Sequence, residues 1–176
     1  MGPVGHTVIS GTLGVVVGAA TGSPAAGATV LGVGVMMDVD HLFDFYQWYV
    51  KGKGNRIYLL FHAWEYSAAG VIALAAAFYH PLFLALVLAH LAHVATDHFH
   101  NRLPPWAYFI SYRIAKKFDT AHITPGYDVM NSYKNWHRIL PFNAKLSPWF
   151  RRKIEPWFAM KVEQHLSRDA DSSKTD

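Results

Sequence analysis

Met1 to Met37 contains no charged side chain. Apolar or small residues run from Thr7 to Ala20 and again from Ala25 to Met37. Thr21-Gly22-Ser23-Pro24 breaks the run with a turn signal, which predicts a helical hairpin. Two further apolar runs, Tyr58 to Tyr79 and Leu82 to about Phe99, are divided by His80-Pro81. Pro81 suits the first turn of the later helix, where its missing N–H is harmless. Between the two pairs, residues 38–57 hold an acidic cluster, an aromatic patch and a basic, glycine-containing loop. After Asn101 aromatic and basic residues interleave. They predict an amphipathic helix from Leu103 to about Phe118, another from Asp128 to Leu140, and a third capped at Ser147-Pro148, restarting at Pro156 and running to about Arg168.

This pattern predicts an all-α protein. Residues 1–101 read as a four-helix membrane bundle of two helical hairpins, 102–168 as an additional basic, aromatic, amphipathic helical region, and 169–176 as a disordered polar tail. The apolar cores fall short of the roughly 20 residues that span a bilayer, but with their polar ends the last two reach it. Residues 1–100 carry a net charge of −2 and residues 101–176 one of +6, within a total of +4. Every Lys and Arg lies between 51 and 56 or after 101. The positive-inside rule then predicts a multi-pass inner-membrane protein with both termini and the long loop on the cytoplasmic side. No basic stretch precedes the first apolar run, so that helix reads as retained rather than as a cleaved signal. Gly14, Gly18 and Gly22 recur at every fourth position, a small-residue stripe that either lets another helix approach closely or reflects composition alone. With no cysteine, any metal must be held by nitrogen and oxygen.

Candidate chemistry concentrates in Ala89–Asn101, AHLAHVATDHFHN. At helical pitch His90, His93, Asp97 and His100 share an arc of roughly 80°. An unpaired charge on such an apolar helix would cost several kcal/mol, on the order of 3–5. Two antiparallel hairpins would gather further polar residues to the same end: His6, Asp38-Val39-Asp40-His41, His62 and Glu65. Imidazole and carboxylate suit Zn²⁺ first, then Mn²⁺ or Fe. The carboxylates of Asp38, Asp40, Glu65 and Asp97 would balance two divalent ions, a pairing that activates water and clamps a phosphoester. His6, Asp40, His41, His62, His93 and Asp97 are thus candidate metal ligands, with Asp38 and Glu65 as candidate catalytic carboxylates. Glu65 reads as a ligand or as a general base, and its H-x-x-E spacing from His62 is not the zinc-protease H-E-x-x-H. His90, His98, His100 and His137 read as supporting or surface residues, and Asp44 as a cap or loop carboxylate. Trp106, Trp136, Trp149 and Trp157 among basic residues favour membrane lipid over nucleic acid as partner. Arg102 is a candidate for an anionic headgroup.

Gly5-His6 before a glycine-rich helix, Asp38-Val39-Asp40-His41 ending the second, Phe61-His62-Ala63-Trp64-Glu65 opening the third, and His93 with Asp97 and Asn101 in the fourth form an ordered set. In this order the chain resembles the membrane-bound, metal-dependent hydrolases described as LexA-regulated, the YdjM-like family, itself similar to zinc-dependent phospholipase C. The resemblance covers residues 5–101. Met37 stands where the family usually has proline, and His62-Ala-Trp-Glu65 replaces an H-R-x-x-T-H-S. It implies a metal-dependent hydrolase at a membrane face, acting on a phosphoester, with phospholipids among the candidate substrates. The alternative is a non-catalytic metal-binding or metal-transporting membrane protein, although transport sites usually sit near the bilayer midplane on broken helices.

Overall fold

A computed structural model describes residues 2–76, 79–101, 103–138, 140 and 142–172. Among the described residues the chain is helical, with no strand. Helix α1 (Pro3–Thr21) begins with proline in its first turn and ends at Gly22, whose φ of 62° is the left-handed value glycine adopts freely. Ser23 accepts a bond from the Ala26 N–H at 3.2 Å and caps α2 (Pro24–Met36). The rod does not stop at Met36. It tightens to a 3₁₀ turn at Met37–Asp40, resumes as α3 (His41–Phe45) and widens to a π turn at Tyr46–Val50. Tightening of this kind is common where a helix carries function.

The α1–α2 hairpin is built on close backbone approach. A Cβ added at Gly14 would lie 2.7 Å from the Gly27 carbonyl oxygen, and one at Gly27 2.6 Å from that of Gly14. Gly14 and Gly18 therefore serve helix contact, whereas Gly22, the third of the predicted stripe, serves the turn.

The third apolar run does not become helix at Tyr58. Residues 51–63 form a loop, and α4 (Trp64–Ala75) starts only after it. The loop persists because its backbone groups are satisfied elsewhere. Asp44 accepts from the Tyr58 and Leu59 N–H groups at 2.8 and 3.0 Å, Asp40 from that of Phe61 at 2.7 Å, and Ile57 donates to the Phe118 carbonyl at 2.9 Å. Leu59 is held at φ 44°, a strained value for a bulky residue. α5 (Pro81–Asn101) returns antiparallel to α4, with Ser67 bonded to His90 and Gly70 set against Val87.

Three helices are long and apolar enough to cross a membrane: Pro3–Thr21, the continuous rod Pro24–Val50, and Pro81–Asn101. At 12 residues α4 covers about 18 Å, short of the ~30 Å hydrocarbon core. A small core of Val17, Ala26, Val30, Ala85 and Ala89 joins α1, α2 and α5, while Val8, Val15, Val16, Ile72 and Leu86 point outward.

The C-terminal third departs from its predicted helices. Pro104-Pro105 starts only a 3₁₀ turn to Tyr108, and α6 is confined to Ile110–Ala115. α7 (Thr120–Ile123) is one turn, and the helix expected over 128–140 is a 3₁₀ segment at Ser132–Arg138. α8 (Asn143–Lys153) starts before Ser147 and tolerates Pro148 inside. Ser147 is no cap: its hydroxyl donates to the His137 carbonyl at 3.0 Å. α9 (Glu155–Ser172) takes Asp169–Ser172, expected to be disordered, into its last turn; residues 173–176 lie outside the described residues. These pieces close on the rod through an aromatic core of Trp48, Tyr49, Tyr108, Tyr133 and Phe158. Trp136, expected at the lipid surface, instead packs its ring 4.4 Å from that of Phe45; Trp106, Trp149 and Trp157 are exposed.

Candidate metal centre

The 3₁₀ turn of the rod sets the site. With three residues per turn, Asp38 and His41 eclipse one another, and the Asp38 Oδ1 to His41 Nε2 distance is 3.5 Å. α5 brings His93 and Asp97 one helical turn apart, the first turn of α1 contributes His6, and the 51–63 loop contributes His62. All of these except Asp38 and His41 are buried. Two ligand groups emerge, His6-Asp38-His93-Asp97 and Asp38-His41-His62, and they share Asp38. This His/Asp cluster could hold a metal ion.

Hydrogen bonding fixes where the imidazoles offer their lone pairs. His93 Nδ1 lies 2.7 Å from the Gly34 carbonyl, which can only accept, so that nitrogen carries the proton. His62 Nδ1 lies 3.0 Å from Asp40 Oδ2, which as a carboxylate also only accepts. Both neutral rings therefore turn an Nε2 lone pair inward, and the two atoms face each other at 3.1 Å. Two lone pairs at that distance repel unless a proton or a cation sits between them. Asp38 Oδ1 is 3.3 and 3.4 Å from the two nitrogens, and Asp97 Oδ2 is 3.4 and 3.6 Å from them. Four ligands at 2.0–2.1 Å around a tetrahedral Zn²⁺ are separated by about 3.3 Å, close to the separations of each imidazole nitrogen from the other and from the two carboxylate oxygens. Burial pulls the His62 pKa down, but hydrogen bonds to Asp38, Asp40 and Asp97 outweigh it and raise it well above the ordinary value. The cluster thus draws positive charge to this point.

The remaining candidates sit behind or beside the donors. Asp40, expected as a ligand, orients His62, the carboxylate–histidine arrangement that sharpens metal ligands. Its other oxygen, Oδ1, is buried without a hydrogen-bond partner. His6 Nε2 contacts Asp97 Oδ1 at 3.1 Å, and its ring stacks on His93 at 4.0 Å. His41 is partly exposed beside Asp38. Glu65 lies elsewhere: its carboxylate accepts from the Ile110 N–H, the Ser111 N–H and the Ser111 hydroxyl at 2.7–3.0 Å. The H-x-x-E spacing puts His62 and Glu65 on one face only within a continuous helix, and His62 is on the loop before Trp64. His90 donates to the Phe61 carbonyl at 2.9 Å and steadies that loop. His98 accepts from the Trp64 indole at 3.3 Å, His100 is exposed, and Asp44 is the loop carboxylate expected. His137 contacts Arg151 at 2.7 Å, far along the chain from the cluster. Arg102 lies outside the described residues.

Arg113 lies in the 103–118 stretch expected as an amphipathic helix among interleaved basic residues, yet it is fully buried, and its guanidinium donates to the carbonyls of Tyr58, at 2.7 Å, Leu59 and His62, at 2.6 Å. The C-terminal third thereby grips the loop that presents His62, and Glu65 grips α6 in return. No local pattern marks this role, because the acceptors are backbone carbonyls some fifty positions earlier.

A chamber of about 530 Å³ opens against the cluster. Asp38, His41, His62 and Asp97 line it, and Phe45, Trp48, Trp136 and Phe150 belong to its apolar wall. Tyr108, whose phenol pKa burial pushes up, lines it and accepts from the Asn101 amide at 2.8 Å. A shallower depression on α8, bordered by Ser147, Arg151 and Arg152, contains none of the cluster residues.

No known family profile, curated protein or solved structure matches this chain.

Proposed function

We propose that this protein is a membrane-embedded, metal-dependent hydrolase that cleaves a phosphoester. The observation carrying the reading is the convergence of His62, His93, Asp38 and Asp97 on one point at tetrahedral spacing, beside a chamber large enough for a substrate. A divalent ion held there supplies Lewis acidity and the means to ionise water near neutral pH. The chain's own residues complete the site. Asp40 and the Gly34 carbonyl fix the two imidazoles, His6 holds the outer oxygen of Asp97, and His41, on the chamber wall, is placed to take a proton. Asp38 belongs to both ligand groups, so a second ion, were one bound, would draw on Asp38 together with His41. Glu65, engaged with α6, has no part in the chemistry.

Four membrane passes, with α4 as a short return leg, agree with the two antiparallel hairpins. The Lys/Arg distribution supports a cytoplasm-facing site in an inner membrane. The ordered motifs support kinship with the YdjM-like hydrolases, and the basic, aromatic surface of α8 and α9 supports contact with anionic lipid.

The test is elemental analysis of detergent-purified protein beside His93→Ala and Asp97→Ala, followed by hydrolysis of bis(p-nitrophenyl) phosphate. One or two equivalents of Zn, Mn or Fe per chain, lost in both variants together with turnover, is the expected result. Protein that binds no added Zn²⁺ or Mn²⁺ would sink the reading. Bound metal without turnover of any phosphoester would point to the metal-binding or transporting alternative.

A further inference from the structure

From the chamber we infer the substrate class: an amphiphile whose phosphoester head meets the His/Asp cluster while an alkyl chain of about six carbons or more lies against the aromatic wall. The inference rests on the hydrolase reading for the head and on separate observations for the tail.

The chamber lining joins the charged cluster to a wall that is mostly apolar. Asp38, His41, His62 and Asp97 line it together with Phe45, Trp48, Leu59, Leu103, Trp136 and Phe150, and Asn101, Thr124 and Ser132 add a few neutral polar groups. A water-soluble phosphoester such as a sugar phosphate would leave that wall against water or against its own hydroxyls. An alkyl chain gains from the same wall about 0.8 kcal/mol, or fourfold in affinity, for each methylene it buries. The wall is also composite: the rod supplies Phe45 and Trp48, the metal-site loop Leu59, and the C-terminal third Leu103, Trp136 and Phe150. Arg113 fixes two of these parts to each other, so the wall keeps its position relative to the cluster. The three long apolar helices supply the source, since lipid chains would surround the same protein. The occupant is thus a membrane phospholipid or a lipid-linked phosphoester, two forms of one chemistry.

The experiment uses probes of constant head with no hydrolysable P–O–C bond: methyl-, hexyl- and decylphosphonic acid. They are titrated by calorimetry into zinc-loaded and EDTA-treated full-length protein in maltoside micelles. The hexyl compound is expected to bind zinc-loaded protein at least tenfold tighter than the methyl compound. Leu103→Trp, which fills the chamber, should remove that gain and spare methyl binding, whereas Phe142→Ala, on the exposed surface, should keep it. As a measurement independent of the wedge variant's folding, a 6-bromohexyl chain should quench tryptophan fluorescence saturably, and Trp48→Phe and Trp136→Phe should each lose part of the quench. A flat chain-length series, a gain that survives in folded Leu103→Trp, or quenching unchanged in both tryptophan variants would overturn the inference. Metal-independent binding of every head, with the chain-length gain intact, would sink the hydrolase reading and leave the chamber's chain preference standing. Metal-dependent head binding with no chain-length gain would do the reverse. Phosphodiesters on diacylglycerol and on polyprenol, compared as substrates in nanodiscs, distinguish the two lipid sources.

Discussion

Where α1 and α2 cross, the contact is glycine on glycine, with Gly14 and Gly27 carbonyls too near for any added Cβ. Around Tyr49, by contrast, the contact is rings: Tyr133, Trp136 and Phe158 stand with their centroids 4.6–6.1 Å from its own. In the proposed membrane setting, lipid around the first region is as apolar as its interior, so burying apolar side chains between its helices gains little and close backbone approach holds them. The second is rich in charge at its surface and closes by removing aromatic area from water, with the Tyr49 hydroxyl reaching the Val129 carbonyl and Ser132. The candidate metal centre lies at the junction. Its helical donors come from the first region, and the loop carrying His62 is held in place by the second.

This contrast can be broken most severely at the joint itself. Arg113→Met takes the guanidinium from the Tyr58 and His62 carbonyls, at about 1–3 kcal/mol each, while the Leu59 carbonyl keeps the His62 N–H at 3.2 Å. Unfolding followed by circular dichroism should show a loss on the order of 4 kcal/mol or more, with zinc affinity falling alongside. If Arg113→Met binds zinc normally and melts like wild type, the two regions are independent and the clamp is incidental.

Within the first region, Gly27→Val forces a side chain into the Gly14 carbonyl and should cost about 1–3 kcal/mol. Since His6 rides on α1, metal content should also fall, which separates a working helix contact from a compositional preference for glycine. Asp40→Asn tests the junction more gently. It weakens the hold on His62 without removing a donor, and zinc affinity should drop about 10–100-fold while the melting profile stays close to wild type. Complete loss of metal in this variant would restore Asp40 to the ligands. Within the second region, Tyr49→Phe keeps the ring and deletes a hydroxyl. It should cost about 1 kcal/mol and leave metal content unchanged.

Some of the site was legible because helical periodicity is local. His93 and Asp97 are one turn apart on α5, and Asp38 and His41 meet on the rod, so spacing alone brought each pair together. The hairpin logic placed His6 near them from turns that Gly22, Ser23 and Pro24 announce. Glu65 departs from this pattern because the apolar periodicity continues back to Tyr58 while the helix begins only at Trp64. The loop is fixed by Asp40, Asp44, His90 and Arg113, and three of those four are far from it in the chain. Asp40 and Asp38 are two positions apart and chemically identical. Only the packing decides that one faces the chamber and the other the back of His62.

The sequence by itself determined the all-α class, the long apolar helices, the turns between them and a nitrogen–oxygen donor set free of thiolate, because each follows from residues near one another in the chain. Tertiary structure decided which donors converge, which carboxylates support them, that α6 to α9 close over the rod as an aromatic cap, and that a chamber opens between cap and cluster. Those outcomes depend on backbone carbonyls accepting from distant side chains and on rings filling space left by other rings. Neither leaves a periodic trace in the order of the residues.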